Sequence, residues 1–206
     1  MIGDIKTEEE LRRYLGEPGQ LVQNKVIDHL DEHCRVFISK SPFITISTAD
    51  KNGLCDASPR GDAAGFVMIQ DDHHLLIPER PGNKRADSLS NLLQNPRIGL
   101  LFMIPGLGET LRINGRAVLV TEPSVLEAMA VNGKSPLLAI KVKVDECFIH
   151  CAKAFIRSGL WQPESWLEKE ELPKPAKAIQ AHAKLPNLTE EGIEERLNNS
   201  YQNKLY

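Results

Sequence analysis

Phe43-Ile-Thr-Ile-Ser-Thr48, then Asp50-Lys-Asn-Gly53, then Cys55-Asp-Ala-Ser58 is the stretch from which the fold can be read. Its first segment is rich in β-branched residues and predicts a strand. Asn52-Gly53 tolerates positive φ, so it predicts a tight turn that returns the chain into a partner strand over 55–58. The next hundred residues keep this character. Strands are expected at 66–70, 74–78, 97–104, Thr110–Val120 and 137–144, divided by Asp71-Asp72, Pro81-Gly-Asn83 and Pro105-Gly-Leu-Gly108. Two short helices interrupt them, one at 87–93 stopped by Asn95-Pro96 and one at 125–131 with Ser124 as N-cap. Six or seven short strands at close spacing predict an antiparallel barrel or sandwich. The regular strand-then-long-helix alternation of a parallel doubly wound sheet is absent.

The flanks read differently. A short helix is expected at 8–15. Leu21, Val22, Val26, Ile27 and Leu30 recur at helical spacing, which predicts an amphipathic helix over 20–34. After Val144, Phe148, Cys151, Ala152 and Phe155 share one helical stripe, with Asp145 as its cap. Residues 162–188 carry Pro163, Pro173, Pro175 and Pro186 and predict an extended connector. Thr189-Glu-Glu191 opens a last helix to about residue 197, and the tail beyond 198 is expected to fray. The organisation expected is thus a helical arm at 1–34, a main domain at 35–166, and a connector with a C-terminal helix at 167–206.

The 206 residues are 41% hydrophobic and 26% charged, ordinary for a globular chain with a full core. No apolar run approaches the ~18 residues of a membrane span. Twenty-five basic against 28 acidic residues give a net charge of −3, which argues against bulk nucleic-acid binding but not against a local phosphate pocket. The polar start has no secretory h-region, and the four cysteines are few and scattered, so reduced thiols and a cytoplasmic location are expected.

Chemistry concentrates in Ile77-Pro-Glu-Arg-Pro-Gly-Asn-Lys-Arg-Ala-Asp-Ser-Leu-Ser-Asn91, where Arg80, Lys84 and Arg85 crowd a loop leading into a helix. Free backbone N–H groups before a positive helix N-terminus form a phosphate seat, although a solvated charged loop has the same composition. Ser58-Pro-Arg-Gly-Asp62, at the end of the hairpin, can add Arg60 to the same place. On the strand at 110–120, Thr110, Arg112, Asn114 and Arg116 point to one face, either toward solvent or toward a ligand. Cys147, His150 and Cys151 supply only three potential metal ligands where structural zinc takes four, and core packing is the plainer role for the two cysteines. Gly133-Lys-Ser135 lacks the earlier glycine of a P-loop, since position 128 is Ala128, and no Gly-x-Gly-x-x-Gly follows a strand.

Taken together, Ser58-Pro-Arg-Gly-Asp62, the 77–89 block, Glu109-Thr-Leu-Arg-Ile-Asn-Gly-Arg-Ala117, and His150-Cys-Ala-Lys-Ala154 with Arg157-Ser158 and Leu160-Trp161 resemble one family. It is that of the FMN-binding split-barrel proteins related to pyridoxamine 5′-phosphate oxidase, and more narrowly its probable FMN-dependent subgroup. The resemblance covers roughly 20–166. It implies a mainly β, α+β fold: a six-stranded antiparallel split β-barrel with peripheral helices. It also implies a homodimer with an FMN in each of two clefts between subunits, and a small-molecule substrate or electron donor.

Carried over by the resemblance, Lys84 and Arg85 grip the FMN phosphate, with Ser58 and Arg60 beside it. Ile77, Pro78 and Glu79 run along the flavin. Thr110 and Arg112 belong to the strand that contacts the cofactor. Arg157 and Trp161 close the cleft from the second subunit. The function implied is FMN-dependent oxidoreduction at flavin N5, with a non-catalytic flavin or haem carrier on the same fold as the alternative. Related branches use a deazaflavin. The chain after Trp166 does not match the oxidase's pyridoxamine-phosphate motif.

Overall fold

The hairpin forms in register. Strand β1 (Phe43–Ala49) pairs antiparallel with β2 (Cys55–Gly61), Phe43 opposite Gly61 and Ala49 opposite Cys55. Asp50 Oδ1 accepts the Asn52 and Leu54 amides, and Gly53 takes φ 83°. In this computed structural model, which describes residues 3–206, β3 (Met68–Ile69), β4 (His74–Glu79), β5 (Arg97–Met103), β6 (Thr110–Val120) and β7 (Leu138–His150) complete one sheet. Its order is β2-β1-β5-β6-β7-β4-β3, and every pairing is antiparallel.

The expected six-stranded barrel is therefore corrected to seven strands in an unclosed sheet, with β2 and β3 as its edges. The extra strand is the two-residue β3, which pairs only with β4. Pro59 lies on edge strand β2, where a missing amide donor is tolerated.

The sheet encloses one core. Ile44 and Ile46, Leu100 and Phe102, Leu111 and Ile113, Ile140 and Val142, and Leu75 and Ile77 all face it. Helix α3 (Glu32–Lys40) adds Cys34, Phe37 and Ile38, and α4 (Asp87–Gln94) adds Leu92. Leu76 faces the other way and packs with Met129 and Ala139, beside Val125 and Leu126 of α5 (Pro123–Ala128). That explains why four consecutive residues of β4 are buried rather than alternating. The long β6–β7 ribbon shifts register at Asn114/Gly115. A Cβ at Gly115 would lie 2.1 Å from the Lys143 carbonyl oxygen, so only glycine fits this bulge.

Several local expectations give way to tertiary structure. The helix expected over 20–34 is instead α2 (Gln20–Asn24), a bridge in which Ile27 exchanges backbone bonds with Cys147, and α3, capped by Asp31. The helix expected from Asp145 is instead the second half of β7, because β6 is long enough to pair with it as far as Thr110 opposite His150. The helix there begins only at α6 (Lys153–Ser158). The proline-containing connector holds α7 (Pro175–Ala183), with Pro175 in the first turn where its missing amide costs nothing. Thr189 caps α8 (Glu190–Asn203), which runs beyond 197, and the residues after it are docked rather than frayed. Helix α1 (Glu8–Leu15) forms as expected with a Thr7–Glu10 capping box. Among the described residues no helix is long and apolar enough to cross a membrane.

Candidate functional site

Strand β2 is one edge of the hydrogen-bonded order and β4 lies next to the other edge, yet their side chains meet. Arg60 Nε donates to Glu79 Oε2 at 2.9 Å, with both side chains under a fifth exposed. Just beyond, Arg80 Nε donates to Asp62 Oδ2 at 2.9 Å, and the Asp62 side chain is only 3% exposed. The sheet thus curls until β2 and β4 are joined by ion pairs instead of backbone bonds. A cavity of about 880 Å³ opens along this seam.

Helix α4 is pinned to β1 and β2, with its first turn at the cavity. Ser88 Oγ and Ser58 Oγ both donate to Asp56 Oδ2, at 2.5 and 2.9 Å. Asn91 Nδ2 donates to Thr48 Oγ1 at 3.0 Å. The helix starts abruptly. Its N-cap is Ala86, with φ 58° and no side-chain cap, so first-turn amides lack the partner a Ser or Asp would supply. Lys84, two residues earlier, also sits in the left-handed region at φ 62°. Two non-glycine residues in that region cost about 1–3 kcal/mol each, a strain that clusters at ligand-binding sites.

The charges in the cavity are unequal. Among the described residues Lys84 makes no ion pair, and its side chain is exposed. Arg85 is also exposed, but its Nε donates to Asp87. Arg60 is committed to Glu79 and to the Pro59 carbonyl. Burial pushes the Asp62 carboxyl up, but bonds from Tyr206, the Ala63 amide and Arg80 outweigh it and hold the group below the ordinary carboxylate value.

Of the residues expected from sequence, Ser58, Arg60, Pro78, Glu79, Lys84 and Arg85 line this one cavity. Ile77 is fully buried in the core, so its side chain does not reach it. The rest lie elsewhere in the same chain. Thr110 is buried at the start of β6, and Arg112 lies over the Phe148 ring at 5.5 Å. Trp161 stacks on Phe155 with centroids 5.6 Å apart and donates Nε1–H to the Leu107 carbonyl, and Arg157 lies exposed on α6. Tyr206 and Leu205 line the cavity without having been expected there. No local pattern marks them, because they lie far along the chain from every other lining residue. A second cavity of about 780 Å³, lined by Asp56, Asn114, Asp145 and Glu146 among others, opens elsewhere on the sheet.

The residues that build this fold match a known family. The pyridoxamine 5′-phosphate oxidase family profile matches residues 30–151, from just before α3 to just past β7. No curated protein matches the chain. Among solved structures, HupZ of Group A Streptococcus is 18% identical with a TM-score of 0.47, over 58% of this chain and 92% of that one. A putative pyridoxamine 5′-phosphate oxidase from Lactobacillus delbrueckii is 17% identical with a TM-score of 0.45, over 59% and 95%. An FMN-binding protein from Syntrophomonas wolfei is 12% identical with a TM-score of 0.43, over 69% and 96%. With its family match extending over more than half of its length, the chain belongs to the pyridoxamine 5′-phosphate oxidase family.

Proposed function

We propose that this protein binds FMN in the seam cavity and acts as an FMN-dependent oxidoreductase on a small-molecule substrate. The observation that carries the reading is the uncapped N-terminus of α4 beside the unpaired Lys84 and the exposed Arg85. Orphan amides and clustered cations suit a dianionic phosphate. A cavity of about 880 Å³ falls within the size range of cofactor pockets. The name of the Syntrophomonas wolfei protein is in keeping with this choice of ligand.

When bound, FMN supplies hydride or electron transfer at its N5, and the chain supplies position and electrostatics. Lys84, Arg85 and the first amides of α4 hold the phosphate. Ser58 keeps acceptor capacity on its hydroxyl while its proton goes to Asp56. The Arg60–Glu79 pair presents a balanced polar wall rather than a net charge. Buried Pro78 contributes an apolar edge.

The reading includes a homodimer. Helices α1 and α2 bury none of their own residues against the rest of the chain, as expected of arms that pack on a second copy. Arg157 and Trp161, which this chain's own cavity lacks, would then serve the partner's cofactor cleft through the subunit interface, whereas Thr110 is buried within its own chain.

The test is the absorbance spectrum of freshly purified protein, with mass analysis of what heat releases. Released FMN supports the reading. Protein that is colourless and takes up no added FMN overturns it.

A further inference from the structure

Part of the cavity wall comes from outside the family match. Residues 204–206 follow α8, more than fifty residues beyond the matched segment, and Tyr206 reaches back to the residues that follow β2 and β4. Its hydroxyl donates to Asp62 Oδ1 at 2.7 Å, and its ring lies 5.6 Å from the Arg80 guanidinium carbon. Lys134 Nζ donates to its carbonyl oxygen at 3.0 Å. The receptor for this side chain is already ordered. Asp62 Oδ2 takes Arg80 Nε, Asp62 Oδ1 also takes the Ala63 amide, and Arg80 Nη2 donates to the Met129 carbonyl. A carboxylate as buried as Asp62 needs such partners, and Tyr206 is one of them. The hydrogen bond to Asp62 pushes the Tyr206 phenol above its ordinary value, so it stays protonated as the donor at neutral pH.

The tail borders the cavity without filling it, since about 880 Å³ remains with Leu205 and Tyr206 in place. We propose that Tyr206 is a binding-site residue, a wall of the cofactor cavity latched by Asp62 and Arg80, which slows cofactor departure and limits access from solvent. This rests on the FMN reading above. The latch draws on the residues just after β2 and β4 and on the loop before β7, so it also ties one edge of the sheet to the strand next to the other edge, beside the ligand.

The test uses the full chain loaded with FMN. Release after dilution is followed by flavin fluorescence, and solvent access by iodide quenching. Tyr206→Ala is expected to speed release about tenfold and to raise the quenching constant, since it loses both a charge-assisted hydrogen bond and a cation–π contact. Tyr206→Phe keeps the ring on Arg80 and is expected to fall between. Unchanged release and quenching in Tyr206→Ala overturn the proposal, and so does slower release, which would make the tail a competing plug. Failure of the wild type to bind FMN is a different result, because it removes the FMN reading and the wall role together. In protein without FMN, one of the three tyrosines should ionise later than the others by absorbance titration, and Asp62→Asn should bring it down. Three tyrosines titrating alike in the wild type would overturn the latch itself.

Discussion

Arg60 and Glu79 form an ion pair at 2.9 Å between strands that share no backbone hydrogen bond. It joins one edge strand of the sheet to the strand next to the other edge, and it lines the cavity between them. Both side chains are less than a fifth exposed, so losing one partner leaves a poorly solvated charge behind. Glu79→Ala is expected to cost about 1–3 kcal/mol of stability, a fall in Tm of roughly 3–10 °C for a chain of this size. Arg60→Ala should cost a similar amount, and the double variant less than the sum. A thermal-melt double-mutant cycle with strictly additive effects would show that the pair does not hold the seam.

Lys84 and Arg85 lead separate lives at the same loop. Lys84 makes no ion pair among the described residues, whereas Arg85 is partly neutralised by Asp87. Lys84→Ala should therefore weaken FMN binding more than Arg85→Ala. Each charge-assisted contact is worth about 1.5–3 kcal/mol, so Lys84→Ala should lose roughly 10–100-fold in affinity by calorimetric titration. Equal, small effects of the two variants would place the phosphate elsewhere.

The strands were largely legible because their signals are local. The Asp50–Gly53 turn and the alternation of β6 each need only a few neighbouring residues, and β6 spans Thr110–Val120 as read from sequence. The misreadings share a cause, which is long-range pairing that outcompetes local periodicity. Val26 and Ile27 keep helical spacing with Leu30, yet Ile27 exchanges both its backbone bonds with Cys147. The Phe148-to-Phe155 stripe looked helical, but β6 recruits residues through His150 into β7. At the site, the loop 80–87 and Arg60 announced themselves by charge. The Arg60–Glu79 and Arg80–Asp62 pairings depend on sheet curvature, and Tyr206 on a contact across 144 residues, none of which a linear pattern encodes.

Gly115 carries the β6–β7 bulge. Any side chain there meets the Lys143 carbonyl at an impossible distance, and that oxygen belongs to backbone that cannot swing aside. Gly115→Ala should destabilise the fold by more than about 2 kcal/mol, among the larger costs of a single methyl group. Chemical denaturation reads this directly, and a neutral result would mean that the two strands pair without the bulge.

Asp62 makes the seam sensitive to acid. Its folded carboxyl lies below the ordinary value of 3.8, so the unfolded chain takes up the proton first as pH falls. Its contribution is therefore fully present at neutral pH and is lost as pH drops through 3.8 toward the lower folded value. Urea midpoints should show wild type well above Asp62→Asn at pH 7 and much closer to it at pH 3. A gap that is constant across this range would mean that the Asp62 charge does not stabilise the fold.

The four cysteines should divide into two pairs by reactivity. Cys55 and Cys151 are exposed, whereas Cys34 on α3 and Cys147 on β7 are buried with their sulfurs 3.2 Å apart. The hydrogen bond with Cys34, and then burial, push the Cys147 thiol far up, away from the thiolate that reacts. A thiol-specific chromogenic disulfide should thus titrate two groups quickly in the folded protein. The other two should appear only at the rate of unfolding, because reaching them requires α3 to leave the sheet it caps. Fast labelling of a third thiol would show that α3 opens without global unfolding, and the core would then be less cooperative than its packing implies.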